Sequence, residues 1–173
     1  VPNVAEGFEG DTFWDNWSAE TGTWQWGVPT SGPATAHDGS ELSKGIATGL
    51  AGNYGENTSS RLVSPSFTVP AAEQHPRLRF WHWFNFNCGD YGEAQIRVAG
   101  GEWTQLRRFN GYSGNVWSYP SFDLEAYAGQ AVQIGFFFQS DDCDNCCGSE
   151  VAPGWYIDEL EVVTGTPPPL VPN

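Results

Sequence analysis

The sequence predicts an all-β fold, a two-sheet antiparallel jelly-roll sandwich, and three observations predict it. Gly and Pro supply 21 and 12 of the 173 residues and break the chain into short segments. Within those segments apolar and polar residues alternate, the period of a strand with one buried face. Helix-forming runs are few, while nine Trp, six Tyr and eleven Phe offer bulky side chains for a core. A chain of this length suits one domain. The boundaries read as a linker end over 1–5, a jelly-roll domain over 6–164 and a Pro-rich linker over 165–173. Val-Pro-Asn recurs at both ends, which suggests repeated linker sequence in a modular parent. With no Met and no signal-peptide pattern, the chain is expected to be a monomeric piece of a longer secreted precursor, covalently linked to neighbouring domains.

Taken in order, Glu6-Gly7-Phe8-Glu9-Gly10 is predicted as a short first strand. Trp24 and Trp26 alternate around Gln25 and so share a face, capping the core or pinning the long early loop. The segment from Gly32 to Ser40 is turn chemistry, in which Asp38-Gly39 is either a plain turn or a cation ligand. A candidate strand runs over 46–50. Arg61 to Val69 is a strand interrupted at Pro65, which implies an edge or a bulge. Arg77 to Asn87 is the richest strand. Leu78, Phe80, His82, Phe84 and Phe86 lie on its core side, and Arg77, Arg79, Trp81, Trp83 and Asn85 on the other. Within the core set, His82 is expected to be a hydrogen-bonded core histidine. In the strands Glu93–Ala99 and Ala131–Gln139, Glu93, Gln95, Arg97, Gln133, Phe137 and Gln139 point outward. Between them, irregularly spaced aromatics suggest two more strands and long loops.

Gly154 to Val163 is the last strand. Alternation puts Trp155, Ile157, Glu159 and Glu161 on one face, and Tyr156, Asp158, Leu160 and Val162 on the other. The second set is apolar except for Asp158. An ionised carboxylate on a core face needs a cation or several donors. Only seven Lys and Arg are present, so a bound calcium ion is the expected partner, against a solvated or turn-bonded carboxylate.

The formal net charge of −14 excludes nucleic acid and anionic membrane surfaces as natural partners, because both demand a basic patch. No apolar run has the roughly 20 residues a membrane span needs. The four cysteines are Cys88, Cys143, Cys146 and Cys147. They suggest two disulfides outside the cell, Cys88 joining one loop cysteine and the other two pairing locally. The rival is a four-thiolate zinc site, poorly served by a single C-x-x-C.

Several stretches together resemble the MAM-like jelly-roll domains appended to bacterial secreted proteins, including immune-inhibitor-A-type metalloproteases. They are Trp24-Gln25-Trp26-Gly27 with Gly32-Pro33, Ala36-His37-Asp38-Gly39-Ser40, Gly52-Asn53-Tyr54 and Leu62-Val63-Ser64-Pro65. The order continues through Leu78-Arg79-Phe80-Trp81-His82-Trp83, the Asp90 region, Asp123-Leu124 with Tyr127-Ala128-Gly129-Gln130, and Gly154-Trp155-Tyr156-Ile157-Asp158-Glu159. The resemblance covers residues 6 to 164 and implies a jelly roll outside the cell. It is related to carbohydrate-binding modules with a structural calcium between first and last strands. Carried onto this chain, the implied ligands are Glu9 and Asp158, with Asp38 or Ser40 nearby. The acids of loop 141–148, with Asp90, read as a disulfide-pinned loop or a second cation site.

Two functions from different classes follow. Outward Arg79, Trp81, Trp83, Asn85, Gln95, Arg97, Gln133 and Gln139, placed together on one sheet face, would bind an extended glycan. Indoles stack on sugar rings, and amides and guanidinium groups bond hydroxyls. If a long loop covers that face instead, a structural, adhesion or substrate-docking role in a secreted protease is expected, with no sugar affinity. Catalysis is not expected. No acid and base pair is visible, no Ser-His-Asp set can be drawn from His37, His75 and His82, and there is no His-Glu-x-x-His.

Overall fold

The computed structural model describes residues 1–142 and 151–166. The Pro-rich spacer beyond residue 166 and the cysteines Cys143, Cys146 and Cys147 lie outside the described residues. Among the described residues there are eleven strands, one short α-helix and two 3-10 turns (Ala72–Gln74 and Glu125–Tyr127): α1 (Phe13–Asn16), β1 (Ser18–Ala19), β2 (Gln25–Gly27), β3 (Gly45–Ala47), β4 (Ser59–Val63), β5 (Phe67–Thr68), β6 (Arg77–Asn85), β7 (Tyr91–Val98), β8 (Thr104–Phe109), β9 (Ser121–Asp123), β10 (Ala131–Gln139) and β11 (Gly154–Val163). They form two sheets whose paired strands are all antiparallel. The six-stranded sheet runs β1-β4-β10-β7-β8 with β5 paired to β10, and the five-stranded sheet runs β2-β3-β11-β6-β9. This is the predicted all-β jelly-roll sandwich.

Alternation explains the core. Leu78 and Phe80 of β6, Ile96 of β7, Ile134, Phe136 and Phe138 of β10 and Trp155 and Ile157 of β11 meet between the sheets and are fully buried. Trp155 is the hub, ringed by Trp24, His82, Phe86, Phe109 and Phe136. It can sit there only because β7 carries Gly92. A Cβ at that position would stand 2.5 Å from its ring. The Trp155 Nε1–H donates to His82 Nδ1 at 3.2 Å, so His82 is the hydrogen-bonded core histidine expected. Its burial, with Arg107 nearby, pushes its pKa down to about 3, so it stays neutral. Trp24 is buried in this core and Trp26 packs against it, as their shared parity predicts.

Two expectations are corrected. The first strand over 6–10 does not form. Its only ladder contact is a bridge from Glu6 to Leu160, and Phe8 at φ 59° turns the chain so that its ring enters the core. The strand around Pro65 is interrupted there as expected, into β4 and β5, which pair with successive parts of β10. In β11 the alternation breaks. The register with β6 shifts between Asp158 and Glu161, and Glu159 takes φ 47°. The bulge returns Leu160 and Val162 to the core while Tyr156 and Asp158, before it, face the opposite way. Asp158 is therefore not on the core face. It lies beside Trp81 on the outer side of the five-stranded sheet, buried there by a loop.

The start of the chain is also tied down. The Asn3 N–H donates to the Val162 carbonyl, and its side chain exchanges hydrogen bonds with Thr164.

Candidate functional site

The eight residues predicted to share one ligand face are split between the two outer faces of the sandwich. Arg79, Trp81, Trp83 and Asn85 belong to β6 in the five-stranded sheet. Gln95, Arg97, Gln133 and Gln139 belong to β7 and β10 in the six-stranded sheet. Alternation gives the side of a strand but not the sheet it joins, and that is why the sequence merged them.

The outer face of the five-stranded sheet is largely closed. Trp83 is 5% exposed and packs with Tyr156 and Ala47, with Leu50 and Trp117 against them. The Tyr156 hydroxyl donates to the Gly49 carbonyl and meets Ser31 Oγ at 2.8 Å, which anchors the covering loop. Trp81 is half-buried inside a stack. His37 lies on one side of it at 3.8 Å between ring centroids and Tyr119 on the other at 4.7 Å, with the Arg79 guanidinium 3.6 Å from the Tyr119 centroid. Glu159 pairs with His37 Nδ1 and Glu161 accepts from the Tyr119 hydroxyl. Both faces of Trp81 are thus occupied by protein rings, which leaves no flat surface for a sugar. Asn85 is bridged to Tyr112 by backbone.

Asp158 sits beneath this stack at 2% exposure. Its Oδ2 accepts from the His37 N–H at 2.9 Å and its Oδ1 from the Glu159 N–H at 2.8 Å. Burial pushes its pKa up to about 7. The two N–H donors pull the other way, and the charges of Glu159 and Glu9 push it further up. The other predicted metal ligands are engaged elsewhere. Glu9 accepts from the Lys44 N–H, and Asp38 accepts from the Ser40 N–H and the Ser43 hydroxyl within its own turn, whose bonds hold its pKa below the usual carboxylate value. Among the described residues no group of three or more His, Cys, Asp or Glu side chains is placed to hold a metal ion. Of the predicted set, Glu9 is the one whose charge is felt at Asp158.

The outer face of the six-stranded sheet is different. Its register builds rows of outward side chains. Arg61, Phe137, Glu93 and Arg108 form one row across β4, β10, β7 and β8. Gly135 stands beside Gln95, and Gln133 beside Arg97. Over Gly135, which has no side chain, lies the indole of Trp103 from the β7–β8 turn. A Cβ at Gly135 would be 2.8 Å and 3.0 Å from two of its ring carbons. The Arg61 and Arg97 guanidinium carbons stand 4.9 Å and 4.5 Å from the Trp103 ring centroid. One polar network crosses the sheet. Arg108 donates twice to Glu93 Oε1, Gln95 Nε2 donates to Glu93 Oε2 at 2.7 Å, Arg61 Nε donates to Gln95 Oε1 at 2.8 Å, and Arg61 pairs with Glu20. Arg97 donates twice to Gln133 Oε1, and the Tyr91 hydroxyl to Gln139 Oε1. The face combines a half-buried indole with amides and guanidinium groups held by one another, which is preorganised recognition chemistry. Sequence reasoning found Gln95, Arg97, Gln133 and Gln139 here. It missed Arg61, Tyr91, Glu93, Trp103 and Arg108. Phe137 and Glu93 were legible as outward positions, but Trp103 lies in a turn where alternation carries no information.

At one end of the sandwich, the Tyr54 hydroxyl donates to buried Asp90, which also accepts from the Asp141 N–H. Cys88 is not a free thiol.

No family model matches the chain. Bacillopeptidase F of Bacillus subtilis is 33% identical over 165 residues, covering 92% of this chain and 11% of that protein. The pre-pro-metalloprotease PrtV of Vibrio cholerae is 29% identical over 134 residues, covering 70% of this chain and 14% of that protein. The chain thus spans between 11% and 14% of the length of these relatives. Among solved structures, it is similar to TmCBM61, solved in complex with β-1,4-galactotriose. The TM-score is 0.58 at 16% identity, over 92% of this chain and 94% of that one. It is also similar to a cleaved adhesin domain of Lys-gingipain from Porphyromonas gingivalis. There the TM-score is 0.57 at 17% identity, over 92% of this chain and 96% of that one. At these identities the likeness is one of fold. No helix among the described residues is long and apolar enough to cross a membrane.

Proposed function

We propose that the chain is a non-catalytic, extracellular accessory module of a larger secreted protease, and that it binds polysaccharide through the outer face of the six-stranded sheet. The observation that supports this best is the partly exposed Trp103 held over Gly135 with the Arg61 and Arg97 guanidinium groups near its ring, beside a network that ties Arg61 to Gln95 and Arg97 to Gln133. An aromatic platform ringed by oriented donors is what a sugar ring and its hydroxyls require. The small share of two proteases that the chain matches supports the modular part of the reading, and a fold neighbour solved with a galactotriose supports the ligand class. MAM-like membership and a disulfide from Cys88 to one of the three remaining cysteines belong to the same reading. So does a structural calcium ion in a reduced form. Glu9 and Asp158 would hold it, and it would supply the positive charge that no Lys or Arg side chain brings to Asp158 among the described residues. The rival reading, an adhesion or docking module without sugar affinity, draws on the adhesin-like fold and the closed Trp81 face.

A retardation screen against soluble polysaccharides, β-1,4-galactan among them, tests the choice. Trp103→Ala should weaken binding about 10- to 100-fold, the loss expected for an aromatic anchor. Trp81→Ala should leave binding unaltered. Gly135→Ala should weaken binding too, because its methyl displaces the indole, with little change in the melt. Retention by no polysaccharide of a folded protein would favour the rival.

A further inference from the structure

We propose that the sheet face described above selects carboxylate-bearing polysaccharides, uronic-acid polymers, over neutral ones; this rests on the glycan-binding reading and adds the ligand's charge. The chain is strongly acidic, at a formal net charge of −14 with only seven Lys and Arg. Three of those seven, Arg61, Arg97 and Arg108, stand on this one face. Arg61 and Arg108 are offset by Glu20 and Glu93. Arg97 is not. Its Nε and one terminal nitrogen donate to the Gln133 amide oxygen, and among the described residues it pairs with no carboxylate. An amide acceptor orients a guanidinium without cancelling its charge. Two of the five N–H donors are spent there, which leaves the remaining edge free to take a carboxylate in a bidentate pair. The group is also stiffened against Trp103, so little rotamer freedom is lost on binding.

A neutral sugar would use the indole and the amides and leave that charge unanswered. A uronate whose ring lies on Trp103 brings its carboxylate within the neighbourhood of Arg97. The rest of the surface is negative and repels a polyanion at long range. Selection must therefore come from this local contact, and a charge removed elsewhere should not mimic it.

The test compares polygalacturonate, its methyl ester and neutral β-1,4-galactan by affinity electrophoresis and calorimetry. The free acid should bind at least about tenfold tighter than its ester, the scale of one charge-assisted pair. Arg97→Gln should bring the acid down to the level of the ester. Arg77→Gln, which removes the same charge from β6 on the other sheet, should keep the preference. Equal binding of acid and ester, or preference for the galactan, would overturn the charge selectivity and leave the glycan reading intact. Binding to a sulfated polysaccharide but not to polygalacturonate would overturn the carboxylate assignment. No binding to any of these by a folded protein would overturn both.

Discussion

Trp155→Ala should lower stability by about 3–5 kcal/mol, the usual cost of deleting a large aromatic from a packed interior. A domain of this kind holds about 5–15 kcal/mol in total, so the melting temperature should fall by roughly 10 °C. The size of the effect follows from three features of the site. The indole is fully buried and touches rings from both sheets, so its loss opens a cavity at the junction of the sandwich. Gly92 opposite it cannot fill that cavity. The His82 Nδ1 also loses its donor and is left as an unpaired polar atom at 2% exposure. Trp155→Phe separates the parts, since it keeps most of the ring and drops the N–H, and it should cost only about 1–2 kcal/mol. A thermal melt of both variants checks this. An alanine variant that melts within a degree or two of the parent would place the indole outside the core.

The sandwich was legible because its strands obey one rule. In β10, and in β6 apart from His82, every second residue is large and apolar, and the structure buries those residues, Phe84 in part. The rule fails where the backbone departs from pleated geometry. At Glu159 the positive φ resets the parity of β11, so Asp158 is read onto the wrong face although its burial is read correctly. At Phe8 a similar turn replaces a strand. Non-glycine residues at positive φ carry little sequence signal. The candidate site was half legible for another reason. Gln95, Arg97, Gln133 and Gln139 are neighbours because β7 pairs with β10, yet β6 with Trp81 joins the other sheet. Pairing partners far apart in sequence are set by the whole fold. Trp103 joins the site through contacts with Gly135, Arg61 and Arg97, of which Gly135 and Arg61 are distant in sequence.

Asp158 should make the calcium-free protein less stable as pH rises. In the unfolded chain its carboxyl titrates near 3.8, and in the fold near 7. Between those values the folded state keeps a proton that the unfolded state has released, so stability falls with rising pH across that window and is lowest above it. The span corresponds to about 2–4 kcal/mol. His37 and Glu159 are paired beside the same carboxyl, so the variant Asp158→Asn is needed to isolate the group. Its stability should vary less between pH 5 and pH 8 than that of the parent. It should also be lower at pH 5, because an amide nitrogen cannot accept one of the two backbone N–H bonds that the carboxyl oxygens take. Calcium changes the picture in a diagnostic way. An ion held by Asp158 and Glu9 needs the ionised carboxylate, so binding competes with the proton. The gain in melting temperature on replacing chelator with calcium should therefore be large at pH 8, small at pH 5 and lost in Asp158→Asn. Equal melts in calcium and chelator at pH 8 would remove the calcium ion from the account and leave the pH slope as a property of the buried carboxyl alone.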